Sequence, residues 1–289
     1  LSDTDKNNYS FSSGTYEVEN GEITKKEITF NVITSNKTYD GKTSAEVSVD
    51  ESSIEGLVSG DAAPTIVISN AKFNDKTVGT EKVVTYTATI SENSNYKLPE
   101  TNPDAKGNIT SKTLTYEVEV DKKEFDGETT LEAGSYRIKN VSGICTDDSE
   151  VLDDVTISIT SIAFKNANVG VQGLNVTTAL SGDDAGNYTI DTNPQGISQE
   201  ITNKLIKPVF KINPSKTSKV YDGTDDAKDC ITLDKILDSK DSELTGITLD
   251  FSAVFDSKDV GNGKKITVTP TLSDTDKNNY SFSSGTYEV

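Results

Sequence analysis

The sequence predicts an all-β protein of three tandem immunoglobulin-like antiparallel β-sandwich modules, which we expect to form an extended rod. Three observations predict this fold class. Thr, Ser, Val and Ile dominate the patterned stretches, apolar and polar residues alternate with a period of two, and three landmarks recur about every 90 residues. Modules with a β-grasp-like fold are the alternative.

The period-two alternation is clearest at residues 84–90, 114–120 and 266–269. Strands of this kind bury one face and expose the other face to water. Clusters of Gly, Asn, Asp and Ser separate them at short intervals, as the antiparallel strands of a sandwich require. The best helical candidate, residues 233–237, is too short for more than one turn.

The three landmarks occur in the same order in every module. The first landmark is a lysine followed two positions later by aromatic-Asp-Gly, with copies at Tyr39, Asp40 and Gly41, at Phe125, Asp126 and Gly127, and at Tyr221, Asp222 and Gly223. The second is a phenylalanine shortly before a Val-Gly pair, whose glycines are Gly79, Gly170 and Gly261. The third is an Asn-Tyr pair, whose tyrosines are Tyr96, Tyr188 and Tyr280.

The landmarks and an Ile-Thr-x-Lys segment at each joint predict the module boundaries. Residues 1–26 are the tail of a preceding repeat, 27–112 the first module, 113–204 the second and 205–289 the third, truncated at its last strand. Residues 1–18 are identical to residues 272–289. We therefore expect either head-to-tail assembly at this overlap, in which the first segment completes a neighbouring sheet, or a simple overlap of the ends.

The composition argues against several classes of function. A net charge of -19 repels nucleic acid and anionic membranes, and no apolar run approaches the ~20 residues of a membrane span. The chain has no histidine, and we find neither a nucleophile elbow nor a phosphate-binding loop. The sequence therefore predicts a protein that is not an enzyme, with no nucleic-acid partner and no membrane insertion.

The landmarks together resemble the YDG-type tandem repeat of bacterial adhesins and large surface proteins. The second module departs from the pattern because Phe125 replaces the tyrosine, and the first lacks the Asp-Ala that precedes Asn187 and its tyrosine. The resemblance implies an extracellular protein at the bacterial cell surface, with many modules in series. It carries no catalytic residues.

The expected function is that of a structural stalk or spacer in an adhesin or fibre, which holds a functional region away from the cell. Its expected partners are neighbouring copies of the same repeat, joined head to tail. Two alternatives remain open. The modules could instead bind host glycan or matrix, or the chain could be the subunit of a self-assembling surface layer or filament.

The landmark residues are interpreted as architectural. Asp-Gly suits a tight turn with a positive φ, and the aromatic residue before it should plug the sheet beneath. The tyrosine of each Asn-Tyr pair is compared with a tyrosine corner, in which the hydroxyl bonds to the backbone just upstream. Calcium is the one candidate cofactor, and its candidate ligands are Asp183, Asp184, Asp274 and Asp276. Cys145 and Cys230 lie in different modules and are predicted to be free thiols.

Overall fold

The computed structural model describes residues 2–12, 15, 17–91, 94–147, 150–151 and 153–289, and within them the chain is all-β. The helical elements of this part are 3-10 turns of three residues at Asp5–Asn7, Ala185–Asn187, Lys228–Cys230 and Asp276–Asn278. No helix in the described part is long and apolar enough to cross a membrane. The predicted all-β class and the three repeated units are confirmed.

The strands follow one another with short connections. Up to residue 110 they are β1 (Lys26–Glu27), β2 (Thr29–Thr34), β3 (Lys37–Thr38), β4 (Val47–Glu55), β5 (Ile66–Phe73), β6 (Gly79–Ile90), β7 (Tyr96–Lys97) and β8 (Ala105–Thr110). Next come β9 (Lys112–Thr113), β10 (Thr115–Val120), β11 (Lys123–Glu124), β12 (Tyr136–Ser142), β13 (Thr146–Asp147), β14 (Glu150–Val151), β15 (Thr156–Phe164), β16 (Gly170–Ser181), β17 (Tyr188–Thr189) and β18 (Ser198–Thr202). The remainder are β19 (Lys204–Ile212), β20 (Ile231–Asp238), β21 (Glu243–Leu244), β22 (Leu249–Phe255), β23 (Ile266–Leu272), β24 (Tyr280–Phe282) and β25 (Tyr287–Glu288).

The chain forms two compact units, Leu1–Lys112 and Thr113–Val289. The first unit contains a four-stranded sheet in the order β3-β8-β6-β5 and a separate β2–β4 hairpin. Within the sheet β5, β6 and β8 are antiparallel, whereas β3 runs parallel to β8. The short strands β1 and β7 also pair in parallel.

The second unit repeats this arrangement. Its four-stranded sheet β11-β18-β16-β15 has the same order and directions, and β10 and β12 form the matching hairpin. In the third module β19 pairs with β20, and β22, β23 and β25 form an antiparallel sheet. The parallel pairs, such as β19 with β24, are a feature that the antiparallel prediction lacked.

Residues 233–237, the best helical candidate, lie within strand β20, so that expectation was wrong. Ile236 and Leu237 are buried there, and β20 pairs with β19 along its whole length. A run of five residues satisfies at most one intrahelical hydrogen bond, whereas the ladder with β19 satisfies one or more per pair of residues. Pairing across the sheet therefore overrides the weak local preference.

The core of each module is small and lies against the long central hairpin. In the second module Phe164, Leu174, Val176 and Ile201 pack together with at most 3% of each residue exposed. The third module has its own cluster, which includes Phe210, Ala253, Ile266 and Val268.

The two copies of the repeated 18-residue segment differ in their environment. Both form the same 3-10 turn, at Asp5–Asn7 and at Asp276–Asn278. However, Tyr9 and Phe11 are 67% and 61% exposed, whereas Tyr280 and Phe282 are partly buried against the third module. Local sequence therefore sets the turn, and the neighbouring sheet decides burial.

Replacing Ile201 by alanine should destabilise the second module by about 2–5 kcal/mol, because the truncation leaves a cavity in a packed core. Val171, which is 73% exposed on the partner strand, supplies the control. We expect Val171→Ala to change the free energy of unfolding in urea far less. Equal losses for the two variants would contradict the assignment of Ile201 to the core.

Candidate functional site

The aromatic-Asp-Gly landmark forms the same turn three times. In each turn the aspartate Oδ1 accepts a hydrogen bond from the backbone N–H two residues later, at 2.9 Å for Asp40, 2.8 Å for Asp126 and 2.9 Å for Asp222. The glycine that follows has a φ of 78°, 83° and 83° in the three copies. Because L side chains rarely adopt this left-handed backbone, glycine is required there.

The lysine two positions before the aromatic residue fastens this turn. Its Nζ lies 2.8, 2.8 and 3.0 Å from the aspartate in the three modules, and its side chain is only 12–19% exposed. The Nζ of Lys123 also donates to the carbonyls of Glu128 and Thr130, at 2.6 Å each. Lys219 makes the equivalent bonds to Thr224 and Asp226. A partly buried ammonium with several acceptors is stabilised in the fold.

The turn lowers the pKa of its aspartate. In Asp222 the N–H of Thr224 contributes most, followed by the ammonium of Lys219, and together they lower the pKa to about 2. In Asp40 burial opposes the shift, but the bonds from Lys37 and from the N–H of Lys42 still lower the pKa below its usual range. These carboxylates are already used by the chain itself.

The aromatic residue of the turn differs in exposure between modules. Tyr39 is 1% exposed and Phe125 is partly buried, with its ring edge-on to Tyr280 at 5.5 Å between centroids. Tyr221, in contrast, is 61% exposed, so the prediction that every such ring plugs a sheet was wrong for the third module. The backbone explains part of this difference: the N–H groups of Tyr39 and Phe125 bond to β8 and β18, at 2.8 and 2.9 Å.

The glycine of each Val-Gly pair stands beside the isoleucine of the joint. Gly79 is paired with Ile109 and Gly170 with Ile201, and both isoleucines are 1% exposed. The same isoleucines are paired on their other side with the lysines of the turn, Lys37 and Lys123 in the two cases. One strand thus connects two landmarks.

The tyrosine of the Asn-Tyr pair is buried, and its hydroxyl is paired in the first two modules. The Tyr96 hydroxyl donates to Asp61 at 2.6 Å and accepts from the N–H of Val58 at 3.0 Å. The Tyr188 hydroxyl donates to Asp153 at 2.6 Å and accepts from the N–H of Cys145 at 2.9 Å. Both backbone partners lie far upstream in the chain, so the comparison with a tyrosine corner was wrong in this respect.

The paired carboxylates were missed from the sequence, although a signal for them exists. Asp61 and Asp153 each precede their tyrosine by 35 positions. Asp153 is only 4% exposed, whereas Asp61 is exposed. Burial and the bond to Asp153 raise the pKa of Tyr188 well above its usual range, and the bond to Asp61 raises that of Tyr96. The position equivalent to these aspartates in the third module is Thr245.

The calcium candidates are used in local hydrogen bonds. Asp184 accepts the N–H of Asp154 at 3.0 Å, and the N–H of Asp183 donates to the carboxylate of Asp154. Asp274 pairs with Lys277 at 2.7 Å, and Asp276 accepts the N–H of Thr248 at 3.0 Å. Within the described residues no group of three or more His, Cys, Asp or Glu is placed to hold a metal ion. Cys145 and Cys230 are both buried free thiols.

The site is thus a set of structural fasteners, repeated from module to module in an all-β tandem-repeat protein. The family model of the YDG domain matches residues 24–103, 110–195 and 207–287. The chain therefore belongs to the YDG domain family. Neither the curated proteins nor the solved structures contain a match to it.

Replacing Tyr188 by phenylalanine should destabilise the second module by about 1–3 kcal/mol, because the buried Asp153 loses a hydrogen-bond donor. Tyr96→Phe is the matched comparison. There the loss should be smaller, since Asp61 is exposed and can bond to water. Thermal unfolding of both variants tests this order, and a larger loss for Tyr96→Phe would contradict it.

The turn of the third module should lose stability in acid. Because the folded pKa of Asp222 is lowered from 3.8 to about 2, its contribution is present above pH 3.8 and is lost as the pH falls towards 2. Lys219→Met should raise the pKa of Asp222 only part of the way, since the Thr224 N–H remains. Carboxyl carbon chemical shifts measure this titration, with Lys240→Met as an exposed control. A midpoint near 3.8 in the unmodified chain would contradict the geometry.

Proposed function

We propose that this chain is a structural spacer of a bacterial cell-surface adhesin or fibre, built from immunoglobulin-like modules in series. The observation that carries the proposal is that the same lysine-aspartate fastener is built three times, with its charged groups bonded to its own turn. A repeated element whose polar groups are all used internally serves the architecture of the repeat.

The joints support a stiff array. Single residues, Ser111 and Asn203, separate β8 from β9 and β18 from β19. At the second joint the Leu205 N–H donates to Glu124 at 3.2 Å, and the side chain of Asn203 donates to the Asn278 carbonyl at 3.1 Å. A linker of one residue leaves little freedom between successive modules. Stiffness of this kind suits a protein whose role is reach.

Charge and surface chemistry also favour a spacer over a glycan-binding module. A net charge of -19 keeps neighbouring rods apart in solution. A shared binding face would present equivalent aromatic residues in every module. Instead, Tyr39, Phe125 and Tyr221 occupy equivalent positions with different exposures. Extracellular location at the bacterial surface is proposed from the family resemblance.

The proposal predicts that particle length grows in proportion to the number of modules. A strand of ten residues spans about 33 Å, so each module should add a length of this order. Electron microscopy and small-angle scattering of the chain measure this length. A variant with a flexible Gly-Ser insertion after Asn203 is the control and should show a broad distribution of lengths. Compact particles from the unmodified chain would contradict the spacer.

A further inference from the structure

The third module has an open groove where the first two modules have a strand. The groove has a volume of about 350 Å³ and lies between the turn that carries Tyr221 and the segment leading into β23. Phe255, Val260 and Ile266 contribute its apolar lining. In the first two modules β8 and β18 occupy the equivalent place, between the lysine of the turn and the glycine of the Val-Gly pair.

The residues around the groove are more exposed than their counterparts. Phe73 and Phe164 are each 2% exposed, whereas the equivalent Phe255 is only partly buried. Val260 and Val220 are 88% and 89% exposed. Apolar surface lined up beside an unpaired strand edge is a template for a further strand.

We propose that residues 19–24 of a second copy of this chain insert into this groove as a β-strand. Ile23 in this segment is 101% exposed, whereas its counterparts Ile109 and Ile201 are each 1% exposed. In the groove Ile23 lies opposite Gly261 on one side and Lys219 on the other. This names the partner of the spacer proposed above and rests on that function only for its purpose.

The register follows from pairs that already exist. Val289 exchanges both backbone hydrogen bonds with Ile266, and Val289 is the copy of Val18 in the repeated segment. Continuing this antiparallel ladder places Glu19 opposite Lys265 and Ile23 opposite Gly261. Opposite charges that face each other across a ladder are favourable.

The spacing of residues supports the same register. In the second module four positions separate Gly170 from Leu174, and four separate their partners Ile201 and Ile197. At the proposed seam five positions separate Gly261 from Ile266, and five separate Ile23 from Val18. Both strands are longer by one residue, so the ladder closes without a bulge.

The connection after the inserted strand also fits. One residue, Lys25, lies between Thr24 and the start of β1 at Lys26. This is the spacing of the two internal joints, where Ser111 and Asn203 stand in the same place. The second copy would therefore follow the third module as the third module follows the second. Its residues 1–18 duplicate strands that the acceptor already has, and remain outside the groove.

Sedimentation of the full chain from micromolar to submillimolar concentration tests the association. We expect concentration-dependent dimers and longer species. Ile23→Asp should weaken association by at least about tenfold, because a charge replaces the apolar side chain in the groove. Val18→Asp, equally exposed but outside the inserted strand, is the matched control and should associate normally. Equal effects of the two substitutions would overturn the register.

A fluorescent peptide of residues 17–28 tests the site itself. It should bind the full chain and protect the amides of Val220, Tyr221 and 261–265 from hydrogen exchange, whereas the same peptide with Ile23→Asp should do neither. A chain that stays monomeric, with no protection by the peptide, overturns the proposal. Concentration-independent protection without peptide, lost in Ile23→Asp, overturns the second copy in favour of the chain's own segment. Particle length, measured separately, reports on the spacer.

Discussion

The strand that carries the joint isoleucine is the element on which each module depends. Ile201 pairs with Gly170 on one side and with Lys123 on the other, and its side chain lies in the core. The turn, the central hairpin and the core are therefore closed by one strand. Where this strand is absent from the sheet, in the third module, Phe255 and Tyr221 lose cover together. Cooperative closure of this kind follows from the small size of each core.

The turn before this strand works as a charged clamp of a modest kind. Its lysine is mostly buried by its own turn, while Asp222 remains about half exposed. Solvent screens the exposed partner, so the ion pair itself contributes little. The greater effect is geometric: the lysine ties the carbonyls of Thr224 and Asp226 to the strand that precedes the turn. It thereby holds the edge against which the joint strand lies.

Repetition makes the function legible in physical terms. A catalytic or binding site needs groups that are left available for a substrate, and it is usually built once. Here the distinctive groups bond to their own module, and the same bonds recur in the next module. The arrangement suits a protein whose property is length, since each added module contributes the same structure and the same short joint.

The sequence by itself determined the all-β class, the three repeats and the local turns. Period-two alternation and Asp-Gly act over a few residues, so their consequences do not depend on distant chain. The tertiary structure decided what lies far apart: that Asp153 meets Tyr188 across 35 positions, that β11 runs parallel to β18, and that residues 233–237 form a strand. It also decided burial, since identical residues at Tyr9 and Tyr280 differ only in whether a sheet lies beside them. Burial belongs to the neighbourhood of a residue and cannot be specified by the residue alone.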